Sequence, residues 1–141
     1  MIKLVLFVFN LFLFQFCFAQ GFQSPYIINN KPKTVFIGSF KKGPVNIPTE
    51  IQSIEEYEQI QLYFNNGGNS ATILRLPVND STVLMASHYV GSKFRPSGFY
   101  ILDGYPENID IIVLLNSSTL SRAQLIKLHK KALSWATERE A

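Results

Sequence analysis

The sequence predicts a single α/β domain in which a small, mostly parallel β-sheet is flanked by helices. Three apolar runs, residues 34–40, 71–76 and 108–115, are rich in Ile, Val, Leu and Phe, which favour buried strands. Two segments with apolar residues at helical spacing begin near Ser53 and Ser121 and follow the first and third runs. Because this strand–helix–strand–strand–helix order requires crossover connections, we expect neighbouring strands to be parallel.

The N-terminal residues predict a secretory signal peptide. Lys3 is followed by a 16-residue run rich in Leu, Phe and Val, residues 4–19, which contains no acidic residue and ends in the small residue Ala19. The run is shorter than the roughly 20 apolar residues of a membrane-spanning helix, so an uncleaved membrane anchor is the alternative. Cleavage before Gln20 would leave a chain exported to the periplasm, the cell surface or the medium.

Three segments are therefore expected: a signal peptide (1–19), a flexible lead-in (20–33) and the α/β domain (34–141). Lys3 is the only charged residue of the signal, so the remaining chain has 12 basic and 10 acidic residues and a net charge of +2. This balance does not favour a nucleic-acid partner, which calls for clustered Lys and Arg. The only cysteine, Cys17, leaves with the signal, so the mature chain has no disulfide, thiol nucleophile or cysteine metal site.

Turn and capping signals delimit the elements of the first half of the domain. Residues 41–50 contain two prolines and a glycine and are predicted to form a loop. Ser53 and Glu56 form a capping box at the start of a helix of about three turns. Gly67 can take the left-handed conformation that ends this helix, and Pro77 stops the second strand.

The second half is less regular. Residues 77–97 give no clear pattern, and VLMASHYV within them is compatible with a strand or a short helix. Residues 98–105 suggest a brief helical or extended piece, whereas the continuous run at 108–115 predicts a strand buried on both faces. Ser121 and Gln124 form a second capping box. The helix after it carries apolar residues on one side: Leu125, Leu128, Ala132, Leu133, Trp135 and Ala136.

The glycines do not form a phosphate site. Gly38 and Gly43 have the spacing of the two glycines of a P-loop, but Pro44 and Val45 stand where that loop needs Lys and Ser or Thr. The second glycine pair, in Asn-Asn-Gly-Gly, has no flanking Lys and precedes a strand, whereas phosphate loops lead into a helix. We interpret it as a helix stop.

A catalytic site is also not predicted. Ser81, His88 and Asp103 supply the residue types of a hydrolytic triad, but no strand–Gly-x-Ser-x-Gly–helix context accompanies them. The other histidine, His129, has no second metal ligand at helical spacing.

Two other groups of residues have the types found in calcium sites and in glycosylation sites. Asp103, Glu107 and Asp110 could bind calcium weakly, yet they lack the alternating ligands of an EF-hand loop. Asn79 and Asn116 begin short matches to the N-glycosylation pattern. We therefore predict no enzyme activity, no cofactor and no metal site.

Residues 34–76 combine a Lys-Gly-Pro-x-Asn-x-Pro turn with an Asn-Gly-Gly helix end that leads into a strand containing Arg75. This pair of motifs resembles the tail sheath proteins of contractile phages and contractile injection systems. Residues 98–138 also look like the family's next unit, with a pattern that is generic for α/β proteins. The matching residues of the first part are Ile37, Gly38, Lys42, Gly43, Pro44, Asn46, Pro48, Ser53, Tyr57, Glu58, Tyr63, Phe64, Asn66, Gly67, Gly68 and Arg75.

The resemblance implies a structural role without catalysis or a cofactor. Sheath subunits stack as rings around an inner tube, and they interlock through terminal segments that add strands to neighbouring sheets. This chain is several times shorter than such a subunit and begins with an export signal. We therefore expect a truncated, sheath-like unit that acts outside the cytoplasm.

Four hypotheses follow. The first is an exported assembly protein that contacts itself or other sheath-like or tube-like proteins through an exposed strand edge or apolar patch, without nucleic acid and, once the signal is cleaved, without a membrane. The second is an exported binding module that keeps the fold but not the assembly role, with a concave site built from residues 77–97. The third is a small hydrolase using Ser81, His88 or Asp103, and the fourth is a degenerate gene remnant.

Overall fold

The computed structural model, which describes residues 32–52 and 57–140, contains four β-strands and four α-helices in that part of the chain. The strands are β1 (Thr34–Gly38), β2 (Thr49–Ile51), β3 (Ala71–Arg75) and β4 (Ile111–Leu114). The α-helices are α1 (Gln61–Asn65), α2 (Ala86–Val90), α3 (Gly98–Asp103) and α4 (Arg122–Glu140). Short 3-10 turns at Glu58–Ile60 and Ser117–Thr119 precede α1 and α4.

The strands form one sheet in the order β2–β3–β1–β4. β1 pairs in parallel with both β3 and β4, and its Phe36 lies level with Ile73 on one side and Val113 on the other. This confirms the predicted α/β class with a mostly parallel sheet. β2 is antiparallel to β3, so the prediction of a loop throughout 41–50 was wrong at its end. A three-residue strand directly after Pro48 is compatible with an edge position, where few ladder hydrogen bonds are needed.

Two apolar layers cover the sheet, one on each face. Val35 and Ile37 of β1 pack with Leu74 and with residues of α2, α3 and α4, whereas Phe36 packs on the opposite layer with Ile73. All five residues of β1 are buried. The continuous apolar pattern of this strand is therefore explained by its central position, with side chains entering both layers in alternation.

The first helical region is shorter than predicted. The structure shows the 3-10 turn and five residues of α1 rather than about three turns of α-helix. The capping box at 53–56 lies outside the described residues, as do the signal peptide and the lead-in up to residue 31. Gly67 has φ 94° and follows the last turn of α1, which confirms the predicted helix stop.

The two segments that the sequence left open are both helical. VLMASHYV contains α2, and residues 98–103 form α3, which ends at Gly104. Both helices pack near α4 on the same face of the sheet. No helix within residues 32–52 and 57–140 is long and apolar enough to cross a membrane.

The start of α4 uses only half of the predicted capping box. Ser121 Oγ accepts a hydrogen bond from the backbone amide of Gln124 at 3.4 Å, a long contact. The Gln124 side chain does not return to Ser121; its Oε1 accepts the amide of Ala86 at 3.0 Å and so joins α4 to α2. Leu128 and Trp135 are buried as expected, but Leu133, which we assigned to the apolar side, is exposed.

Candidate interaction site

β4 is the least covered apolar strand of the sheet. The sequence predicted a strand buried on both faces at 108–115. The strand is present at Ile111–Leu114, but it is shorter than predicted and only partly buried, because it lies at the edge of the sheet. Ile111 is 41% exposed, and the three residues after it are only partly buried. Ile112 and Leu114 contact the helical layer on one face, while Val113 contacts the layer on the other. The strand is therefore apolar on both faces and, among the residues that the structure describes, unpaired along one side.

The backbone of β4 directs amide groups to this side, where no strand among the described residues pairs with them. The amides of Ile111 and Leu115 donate to carbonyls of the β1 chain, those of Lys33 and Ile37. In a parallel pair, alternate residues direct their amides to the same neighbour. The amides of Ile112 and Leu114 therefore face away from β1, and no strand pairs with that side within the described part of the chain.

Both ends of β4 are held in place. Before the strand, the Asp110 carboxylate accepts the backbone amide of Lys33 at 2.9 Å. The Lys33 ammonium pairs with the Glu107 carboxylate, and this hydrogen bond raises the pKa of Lys33 above its ordinary value. After the strand, the buried Tyr89 hydroxyl donates to the carbonyl of Leu115. The open side thus belongs to a strand that is fixed at both ends, which suits a template for another strand.

Two of the three acidic residues that could bind calcium hold the start of β4 instead. Glu107 and Asp110 both contact Lys33, whereas Asp103 lies exposed on α3. Among the residues that the structure describes, no group of three or more His, Cys, Asp or Glu side chains could hold a metal ion.

The three residues considered for hydrolysis make different contacts. His88 Nδ1 accepts the backbone amide of Met85 at 3.0 Å at the start of α2. Ser81 Oγ donates to Asn79 Oδ1 at 2.9 Å within a surface turn. No hydrogen bond joins Ser81, His88 and Asp103 to one another in the described residues. His129 lies partly buried on α4.

The glycines that mimic a P-loop have packing roles. A Cβ at Gly38 would lie 2.7 Å from the Cβ of Leu115, so this position needs glycine where β1 passes the end of β4. Gly43 has φ 89° and lies against the Tyr57 hydroxyl. The loop after Gly43 continues into β2 rather than a helix.

Three of the motif residues behind the family resemblance, Gly43, Asn46 and Arg75, are joined by hydrogen bonds. Arg75 donates from Nη1 to the carbonyl of Gly43 at 2.8 Å, and the Asn46 amide donates to the carbonyl of Arg75 at 2.9 Å. Asn46 has φ 59°, and its side-chain Nδ2 donates to the carbonyl of Pro96 at 2.7 Å. These contacts make a corner at the end of β1 and β3. The motif therefore has a local structural explanation in this chain.

No family model, curated protein or solved structure matches this chain. The resemblance to tail sheath proteins therefore rests on the motif residues described above.

Sequence reasoning missed Lys33 and Tyr89, which hold the ends of β4 at the candidate interaction site. Lys33 lay in a segment interpreted as a flexible lead-in, and Tyr89 lay in the segment without a clear pattern. The apolar run at 108–115 was the one available signal, but such a run does not distinguish an edge strand from a central one.

Proposed function

We propose that this chain is a non-enzymatic assembly protein that binds another protein by strand addition at β4. The observation that supports this most is the open side of β4, which is apolar on both faces and presents the amides of Ile112 and Leu114. In strand addition, main-chain hydrogen bonds supply affinity and the side chains along the edge supply specificity. The resemblance to sheath proteins is consistent with this role.

The composition of β4 favours pairing with another strand, because it lacks the residues that usually prevent such pairing. Edge strands in soluble proteins are usually guarded by Lys, Pro or a bulge, because an unguarded edge pairs with other chains. The four residues of β4 are Ile, Ile, Val and Leu. The partner we propose is a second copy or another sheath-like or tube-like protein, and the site of action is outside the cytoplasm, after export.

The test is to place a charge on the open strand. Ile111→Lys puts an ammonium on the exposed end of β4, where it should block pairing at little cost to the core. Ile126→Lys on α4 is the matched control, because Ile126 is 48% exposed and Ile111 is 41% exposed. Light scattering after size-exclusion chromatography, over a wide range of protein concentrations, should show that wild type and Ile126→Lys associate and that Ile111→Lys does not.

Circular dichroism and urea unfolding would establish that both variants keep the fold. Equal association of all three proteins would place the contact elsewhere and contradict the role of β4. The assembly role would be contradicted if the wild-type chain stays monomeric at every concentration and binds no strand of another protein. It would then favour the exported binding module.

A further inference from the structure

A second exposed surface lies at the turn between α2 and α3. The amide of Ser92 donates to the carbonyl of Arg95 at 3.0 Å, and the amide of Arg95 returns to the carbonyl of Ser92 at 3.2 Å. These two bonds close a tight turn with Lys93 and Phe94 at its corner. Phe94 is 92% exposed, more than any other large apolar side chain described in the chain.

The base of this turn is fixed to the domain. Ser97 is buried, and its Oγ donates to the carbonyl of His88 at 2.7 Å. The carbonyl of Pro96 accepts the side-chain amide of Asn46 at 2.7 Å, which joins the turn to the loop at 41–48. The turn that carries Phe94 is therefore attached to the domain by hydrogen bonds at its base, and Phe94 projects from it into solvent.

All charged side chains in the two joined loops are positive. Residues 41–48 and 91–97 contain Lys41, Lys42, Lys93 and Arg95, all exposed, and no acidic residue. Exposed apolar side chains, Val45 and Ile47, accompany the lysines of the first loop. The surface, which we call the basic tip, thus consists of residues 41–48 and 91–97 and combines cations with exposed apolar groups.

We propose that the basic tip docks on an anionic lipid bilayer, with the Phe94 ring entering the interface between headgroups and acyl chains. Apolar rings insert at this depth, and basic side chains beside them contact anionic headgroups. The aliphatic stems of Lys93 and Arg95 can lie along the interface while their charges remain with the phosphates.

The shape of the tip favours a bilayer over an acidic protein. Phe94 is 92% exposed at the corner of its turn, and a protein partner would need a matching pocket for it. A bilayer receives a protruding ring without such complementarity. The proposal is independent of β4 and differs from the sequence-based expectation that the mature chain has no membrane contact.

The test measures, in the full chain, whether a tryptophan at the basic tip enters the bilayer. Phe94→Trp places a fluorophore at the apex, and Leu62→Trp places one on α1, at a residue that is 74% exposed. Wild type carries only Trp135, which is buried in the core. Vesicles of phosphatidylcholine, with or without phosphatidylglycerol, contain brominated lipids that quench tryptophan within the bilayer. A local reading is needed because the apolar run at 4–19 is itself expected to hold the full chain on vesicles of any charge.

We expect Phe94→Trp to be quenched on vesicles with phosphatidylglycerol and much less on phosphatidylcholine alone, while Leu62→Trp and wild type change little. Adding Lys93→Gln and Arg95→Gln to Phe94→Trp should lower the apparent affinity roughly fivefold per residue. High salt should weaken quenching in the same way.

Equal quenching at positions 94 and 62, or quenching that ignores phosphatidylglycerol and the two cations, would overturn the proposal. Absence of quenching on all vesicles, together with binding of Phe94→Trp to polyglutamate that requires Lys93 and Arg95, would also overturn it and identify an acidic protein as the partner.

Discussion

Tyr89→Phe tests how the end of β4 is held. Tyr89 is fully buried on α2, and its hydroxyl donates to the carbonyl of Leu115, the residue after β4. Phenylalanine keeps the ring and hence the packing against the helical layer. The substitution therefore removes one hydrogen bond and a titratable proton, and leaves the apolar contacts in place.

The expected loss of stability is about 1–2 kcal/mol. A net intramolecular hydrogen bond contributes roughly 0.5–1.5 kcal/mol, and a buried carbonyl left without a donor costs more. Leu115 is only partly buried, so water can replace part of the lost contact. This keeps the estimate below the roughly 3 kcal/mol upper end for a fully orphaned group.

The pH dependence gives a second, independent reading. Burial raises the pKa of Tyr89 well above its ordinary value, whereas the unfolded chain has a tyrosine pKa of about 10. Below that pH both states keep the proton, and this group makes stability independent of pH. Above it the unfolded state binds fewer protons than the folded state, so stability falls by up to about 1.4 kcal/mol per pH unit. The exposed Lys33 titrates in the same alkaline range but is present in both proteins, so its contribution cancels in the comparison.

The assay is urea unfolding followed by circular dichroism, at neutral pH and at several pH values above 10. Wild type should exceed Tyr89→Phe in stability at neutral pH, and the difference should shrink as the pH rises. Stability curves of the two proteins that run parallel across the alkaline range would refute the assignment of a buried, protonated phenol. Equal stability at neutral pH would refute the hydrogen bond to Leu115.

Two further predictions concern the chain outside β4. Gly98→Ala should destabilise the domain by more than about 3 kcal/mol, because Gly98 has φ 49° and a Cβ there would lie 1.7 Å from the carbonyl oxygen of Tyr89. Gly67→Ala, at φ 94° with nothing within 4 Å of the added Cβ, should cost about 1 kcal/mol; equal costs in urea unfolding would contradict the steric explanation. Intact mass of the chain from each cell fraction should show an exported form beginning at Gln20, whereas a membrane-bound form beginning at Met1 would contradict cleavage.

Local patterns predicted the central strands well. β1 and β3 begin at the predicted residues, 34 and 71, because each is a dense apolar run. β1 ends at Gly38, and β3 ends just before Leu76 and Pro77. The helix stop at Gly67 followed from the conformational freedom of glycine. These features depend on residues close together in the chain, which a single sequence exposes directly.

Features that depend on distant residues were not predictable in this way. Arg139 on α4 donates to the carbonyls of Leu102, Tyr105 and Glu107, and its guanidinium lies 4.8 Å from the centre of the Trp135 ring. Nothing near Arg139 in the sequence indicates the three carbonyl partners, whereas Trp135 lies four residues earlier on the same helix and is a local contact. The edge position of β4 is of the same kind, since the order of strands in a sheet is set by packing of whole elements.

The two edges of the sheet differ in a way that bears on assembly. β2 has three residues, follows Pro48 and carries the exposed Glu50, which are features that discourage pairing. β4 itself contains no charged residue and no proline. If two copies pair through β4 alone, each copy uses up its open edge, and association ends at a symmetric dimer. A larger assembly would need a strand donated from another segment, as in the interlocking that the sheath resemblance implies. The mass found by light scattering therefore distinguishes pairing of two β4 edges from strand donation.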